Sequence, residues 1–378
     1  MNHLIELYGR LYKRIRQNGS PVLVTHLDPK KDCVSQLSFD DSVSHAEFAA
    51  QWNAIYPEIT ALDASAWKDA LEHCQGTGLP AKLPKNSKKR DAQWIVEWFS
   101  PQRQLYIFGG GTVAEKLANY AHDCGFRVTV CDDRIGFANR QRFPQIDNVI
   151  CAPFNEILQS VSIQPRDFVV IVTRGHQYDT ECLRHVLPIQ PAYFGMIGSR
   201  SRVKATRELM IEEGFTAAQL ARLSSPIGLN IGGITPAEIA ISIVSQLVCV
   251  KRLGQTEAAA HNVKIKKDDS DLDINLFKLL ADPNQAGLDC ALMTIISTKG
   301  STPRGAGARM LIFPDGRTIG SIGGGCAEGD SIVQARAMLA DGSSNYEILA
   351  VDMTGDVAAD EGMVCGGTAD ILIQVLRT

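Results

Sequence analysis

From Arg103 onward, short apolar runs alternate with stretches of helical period, and no other feature restricts the fold as tightly. Gln104–Phe108, Arg127–Cys131, Asn148–Cys151, Phe168–Val172 and Ala192–Phe194 read as strands, most of them followed by a helix. Strands interleaved with helices form a parallel sheet wound on both faces, because each crossover helix buries its apolar stripe on the sheet. The series closes with a long helix, Pro236–Arg252, capped by Thr235 and opened by Pro236. A charged run with no apolar period, Lys264–Asp273, places a linker at residues 263–274. Beyond it lie a helix at Leu276–Ala281, a strand at Cys290–Thr298, a helix at Asp330–Leu339 and a last strand after Gly367.

The chain has 378 residues, enough for two or three domains. Residues 1–100 read as an N-terminal α/β segment of uncertain role, with a helix at Asn2–Gln17, a strand at Pro21–Leu27 and weaker helices at Ala46–Ile55 and Ala64–Cys74. Hydrophobic residues at 45% and charged residues at 21% exclude disordered, collagenous and coiled-coil classes. A net charge of −4 gives no electrostatic reason to expect nucleic acid or an anionic membrane as partner. The longest apolar stretch, Ala237–Val250, is broken by Ser242, Ser245 and Gln246 and is too short to span a bilayer. The N-terminus shows no signal-peptide plan, so the expected location is the cytoplasm, with the 10 cysteines as free thiols. None forms a C-x-x-C pair, and no structural metal is expected.

LYIFGGGTVAEKLANYA sets G-x-G-x-x-A at Gly109, Gly111 and Ala114, between a strand and a helix. With Gly110 they form a turn that lets a diphosphate approach the backbone and the helix N-terminus. Asp132 ends the next strand, where an acid commonly binds a ribose diol. The expected fold of residues 101–262 is therefore a Rossmann-like doubly wound parallel sheet, with NAD(P) or another nucleotide as a candidate ligand. Thr173, Arg174 and His176 follow one later strand, and Gly198, Arg200 and Arg202 another, so both loops would reach the same crevice. His176 is a candidate acid, base or ligand there, and the arginines are candidates for an anion. A plain loop histidine and solvated arginines remain the alternative.

Glycines concentrate near the other end: nine of the 32 fall in Gly300–Gly329, against four in the first hundred residues. In GSIGGGCAEG, Gly323, Gly324 and Gly325 precede Cys326 and Glu328 at the start of a helix, where amides and the helix dipole favour a thiolate. Cys365 stands before Gly366 and Gly367. With Arg304 and Arg309 available for phosphate, these loops suit an anionic ligand with a thiophilic centre. The other eight cysteines are assigned to the core, where free cysteines usually lie.

STKGSTPRGAGARM, GSIGGGCAEG and the terminal CGG resemble the XdhC/CoxI domain. LYIFGGGTVAEKLA, VTVCDDRIGFANRQRFP, VIVTRGHQYDTECL, FGMIGSRSRV and IGLNIGGITPAEIAISI resemble its Rossmann-type partner. Together they run from Gln104 to Leu376, with the order of the two domains reversed relative to many relatives. The family comprises accessory proteins that mature molybdenum hydroxylases. The resemblance therefore implies an α+β XdhC/CoxI-type domain at 275–378 and a chaperone rather than a turnover enzyme. It also implies the molybdenum cofactor (molybdopterin) as cargo, an apo-hydroxylase such as xanthine dehydrogenase as partner, and a cysteine desulfurase as sulfur donor. Cys326 would contact molybdenum or sulfur, with Cys365 and His176 as further chemical groups. Relatives often carry a histidine where this chain has Thr112, so any role of that histidine would fall to His176 or be absent. Two alternatives stay open: an NAD(P)-dependent oxidoreductase using Asp132 and His176, and a nucleotide- or thiol-sensing regulator. A homodimer is the base expectation.

Overall fold

The computed structural model describes residues 2–17, 19–83, 94–253, 274–282, 289–342, 344–353 and 366–377. The chain divides into two compact units, a terminal unit of Met1–Pro101 with Lys267–Thr378 and a central unit of Gln102–Lys266.

The terminal unit begins with α1 (Asn2–Arg16), β1 (Pro21–Asp28), β2 (Cys33–Asp40), α2 (His45–Ile55), α3 (Ala64–Thr77), β3 (Ala81–Leu83) and β4 (Trp94–Trp98). The strands form an antiparallel sheet in the order β2-β1-β4-β3. Ser44 and Glu47 start α2 with a reciprocal capping box, and Asp63 caps α3 through the Ala66 amide. Alternate residues of the sheet, including Val22, Val24, Phe39, Trp94 and Val96, pack on Phe48, Trp52, Trp67 and Cys74 of the two helices.

The central unit follows with β5 (Gln104–Phe108), α4 (Thr112–Asp123), β6 (Arg127–Asp132), β7 (Asn148–Cys151), α5 (Phe154–Ser160), β8 (Phe168–Ile171), α6 (His176–Val186), β9 (Tyr193–Met196), α7 (Arg200–Glu212), α8 (Ala217–Ala221) and α9 (Pro236–Leu253). All five strands are parallel, in the order β7-β6-β5-β8-β9. Leu105, Ile107, Val128, Val130 and Val170 meet α4 and α9 on one face. Phe108, Cys131, Val169, Ile171 and Phe194 meet α5, α6 and α7 on the other. Burial on both faces explains why these strands read as unbroken apolar runs. The doubly wound sheet expected from the sequence is the one found. Thr235 caps α9 as expected, exchanging hydrogen bonds with Glu238.

The terminal unit resumes with α10 (Ile274–Leu280), β10 (Cys290–Lys299), β11 (Arg309–Ile312), β12 (Thr318–Gly320), α11 (Gly325–Asp341), β13 (Tyr346–Asp352) and β14 (Thr368–Leu376). These strands make a second antiparallel sheet, β12-β11-β10-β14-β13. One face carries α11 through Ala335 and Met338 over Met293, Ile295, Met310 and Ile371. The other meets the first sheet, with Leu27 and Ile95 against Ile296, Ile348 and Leu372. α1 and α10 close the side, where Leu7, Tyr8 and Phe277 join Phe99 and Leu311.

Polar groups are buried between the two sheets in a way no local pattern announces. Arg309, expected from the sequence to meet phosphate, is 2% exposed and donates to Glu97 Oε1 at 2.6 Å and to the Gly307 carbonyl. It lies over the rings of Phe99 and Phe277. Its charge is spent inside the fold, which removes it from the ligand contacts. Lys82 Nζ and Ser297 Oγ both donate to Asp370 Oδ2, each at 2.6 Å. Removing one partner of a buried pair strands the other charge, so Glu97→Ala should destabilise the protein by about 3–5 kcal/mol in chemical denaturation.

Candidate functional site

In the central unit the strand order turns back between β5 and β8, which leaves a crevice outside their carboxyl ends. Gly109 makes the turn out of β5 with φ 112°, and a Cβ there would stand 2.4 Å from the Val172 carbonyl oxygen. A Cβ on Gly110 would meet the Phe137 carbonyl at 2.2 Å, whereas one on Gly111, the N-cap of α4, would meet nothing within 4 Å. The first two glycines serve close backbone packing. Only Gly111 opens onto the space where a ligand could reach the α4 amides.

Asp132 is 1% exposed and its carboxylate is fully engaged. Oδ1 accepts from Arg134 N at 3.1 Å and Nε at 2.8 Å, while Oδ2 accepts from Gly110 N at 2.8 Å and Arg134 Nη2 at 3.0 Å. Burial pushes the acid up, but the Arg134 side chain and the two amides outweigh it and hold Asp132 below the usual carboxylate range. The ribose contact expected of Asp132 is therefore corrected: both oxygens tie the glycine turn to the loop after β6. The oxidoreductase reading loses its ribose anchor with it.

Next along the crevice, Thr173 is buried and donates to Asp179 Oδ1 at 2.5 Å. Asp179, 0% exposed, also pairs with Arg202. Burial raises the Asp179 pKa, with Thr173 and Arg202 opposing. His176 is the exposed first residue of α6, its Nδ1 3.5 Å from Thr206 Oγ1. Gly198 packs on Arg202 and Val203, and Arg200 is exposed at the first position of α7 behind the Ser199 cap. Thr173, Asp179 and Arg202 thus form one connected group, whereas the His176 ring is bonded to Thr206. Asp179 was not among the residues expected from the sequence. Its position within the first turn of a helix that follows a strand was the available signal.

In the terminal unit three glycine-bearing segments converge. Gly300 has φ 75°, and a Cβ there would stand 2.6 Å from the Gly366 carbonyl oxygen. Gly367 approaches the carbonyls of Lys299 and Ser301 as closely, and Gly323 packs against Pro303 beside the Arg304 amide. Gly324 is the N-cap of α11, which makes Gly325 and Cys326 its first two residues. Glu328, expected to meet the ligand, accepts the Ile322 amide at 3.0 Å through Oε1 and so braces the loop. The structure therefore gathers Gly300, Arg304, Gly323, Gly324, Gly325, Glu328, Gly366 and Gly367, with the Cys326 backbone at the start of the helix. Cys365 lies outside the described residues.

Of the cysteines assigned to the core, Cys74, Cys131, Cys182 and Cys290 are buried. Cys124 and Cys151 are exposed, a correction explained by their places at the C-cap of α4 and the last residue of an edge strand. Among the described residues, no group of three or more His, Cys, Asp or Glu is arranged to hold a metal ion. No described helix is long and apolar enough to cross a membrane.

Residues 105–247 match the family described as the XdhC Rossmann domain, and residues 284–351 match the XdhC and CoxI family. The chain belongs to the XdhC and CoxI family. It is 29% identical over 187 residues to a probable xanthine dehydrogenase subunit of Bacillus subtilis (strain 168), covering 49% of this chain and 54% of that one. It is 32% identical over 149 residues to the uncharacterized protein YqeB of Escherichia coli (strain K12), covering 39% of this chain and 27% of that one. The chain thus spans about half the length of the first relative and about a quarter of the second. A crystal structure of a xanthine dehydrogenase from Bacillus halodurans aligns at 25% identity and a TM-score of 0.47, over 67% of this chain and 65% of that one.

The two glycines at either end of the XdhC Rossmann turn should respond differently to a methyl group. Gly109→Ala forces a backbone clash and should cost about 2 kcal/mol or more in urea denaturation, whereas Gly111→Ala should cost less than about 1 kcal/mol.

Proposed function

We propose that this XdhC and CoxI family chain is a cytoplasmic accessory protein that binds the molybdenum cofactor and assists its sulfuration and insertion into a molybdenum hydroxylase of the xanthine dehydrogenase type. The observation that carries the reading is the convergence of the three glycine segments at the start of α11, where Cys326 is the second helical residue. Glycine loops that pack backbone on backbone leave amides, rather than bulky side chains, around a helix N-terminus. That chemistry favours an anionic ligand, and a thiolate there is a soft donor for molybdenum or for a sulfur in transit. Arg304, beside Gly323, is the cation for a phosphate group. Cys365 and His176 are the further candidate groups. A cysteine desulfurase would supply the sulfur, and the protein would act as a homodimer.

The match to both family domains and the relative named as a probable xanthine dehydrogenase component support a maturation role. Alanine is a good helix former, so Cys326→Ala should keep the fold. Co-expressed with a molybdenum hydroxylase, the variant should lower the sulfurated, active enzyme by on the order of tenfold, the scale of a lost ligand contact. Thermal unfolding checks the fold, and an unchanged content of sulfurated enzyme would count against the proposal.

A further inference from the structure

Two arginines stand at the carboxyl end of the parallel sheet, each with part of its guanidinium uncommitted. Arg134 follows β6 and gives Nε and Nη2 to Asp132. Arg174 follows β8 and gives Nη2 to Asp133 Oδ2 at 2.8 Å and to Tyr178 Oη at 2.7 Å. A guanidinium carries five N–H donors, so each arginine keeps three with no hydrogen-bond partner among the described residues. Their side chains are 32% and 38% exposed.

Asp133 stands between them, with Oδ1 3.8 Å from Arg134 Nε and Oδ2 bonded to Arg174. The guanidiniums also lie over aromatic faces, Arg134 at 3.7 Å from the Phe137 centroid and Arg174 at 4.8 Å from that of Tyr178. Carboxylates and rings therefore hold two cationic forks side by side while leaving the outer edges available. A dinucleotide fold of this kind reads a ribose diol with the acid at the end of its second strand, or a phosphate on that ribose with a nearby arginine. Here the acid, Asp132, is covered by Arg134. A free diol would have to displace a bidentate ion pair, whereas a phosphate dianion can add charge-assisted hydrogen bonds to forks already in place.

We infer that the crevice of the central unit selects a ligand carrying a phosphomonoester, held by Arg134 and Arg174, in place of a free ribose diol. The inference rests on the reading of the chain as a cofactor-binding protein. Two sources share this chemistry: the 2′-phosphate of an NADP-type nucleotide and the terminal phosphate of a pterin cofactor.

Titration calorimetry on the full chain separates them with two probe pairs, NADP+ against NAD+ and neopterin phosphate against neopterin. The phosphorylated member of at least one pair should bind about fivefold or more tightly than its partner, with a preference that weakens as salt is raised. The pair that responds names the source. The preference should fall in Arg174→Ala, which removes an exposed side chain, and in Arg134→Lys, which keeps charge over Asp132 without the fork. A smaller preference in both pairs, or one unchanged in both variants, overturns the inference. If a probe binds without phosphate preference, only the phosphate selectivity fails and the crevice remains a ligand site. If none binds at about 1 mM, near the weak limit of specific recognition, the crevice fails as a ligand site as well. The cargo reading at the Cys326 loops is tested independently through the hydroxylase.

Discussion

Backbone packed directly on backbone is the constraint on which both candidate sites depend. At Gly109 the turn out of β5 runs against the Val172 carbonyl, and at Gly300 the loop after β10 runs against Gly366. A Cβ at either place would sit nearer than 3 Å to a main-chain oxygen. Close approach brings the ends of strands distant in sequence to one spot, and it leaves amides rather than side chains around the helix that follows. The glycines at the start of α4 and of α11 thus do two jobs. Some close the packing, while others, such as Gly111, keep space open. A glycine count cannot separate the two, because the distinction lies in what stands opposite.

The terminal unit depends on a second constraint, a polar layer between its two sheets. Glu97 and Arg309 are 212 positions apart, and Lys82 and Asp370 are 288 apart. Each pair joins a strand of the first hundred residues to a strand of the last hundred. Charges taken out of water are tolerated only when met with good geometry, so these pairs specify which sheet faces which. The Asp32 carboxylate adds a rim contact, accepting from Ser344 and from the Asn345 amide. The N-terminal segment is in this way part of the fold that carries the Cys326 loops.

The central unit was legible because its signal is local. Five apolar runs, the glycine turn and a capped closing helix each lie within a few residues, and a parallel sheet buried on both faces leaves little else for them to form. The terminal unit was less so. Its strands β2, β4 and β11 carry inward-facing polar residues, among them Gln36, Glu97 and Arg309, which interrupt the alternation by which a half-buried strand is recognised, and β3 and β12 are only three residues long. The same polarity made Arg309 look like a ligand contact. An arginine in a glycine-rich stretch reads alike whether it faces a phosphate or a buried glutamate 212 residues away. Cys124 and Cys151 erred in the other direction, since a residue at the end of an element, such as a helix C-cap or the last position of an edge strand, can leave the core.

Asp132 carries the point furthest. An acid at the end of the second strand of such a sheet has one chemical capacity, to accept hydrogen bonds on two oxygens, and what it accepts from depends on its neighbours. Here the Gly110 amide takes one position and Arg134, two residues on, covers the rest. The pairing ties down the turn and turns an acceptor surface into a donor surface, so that corner presents Arg134 in place of the carboxylate beneath it. Arg174 reaches the same corner from β8 through Asp133, so the loops after β6 and β8, on either side of β5, contribute one fork each. The D-D-R run at Asp132–Arg134 is for this reason more informative than the G-x-G-x-x-A turn. Of the glycines only Gly111 leaves open space, whereas the order of acid and arginine decides which charge that corner presents.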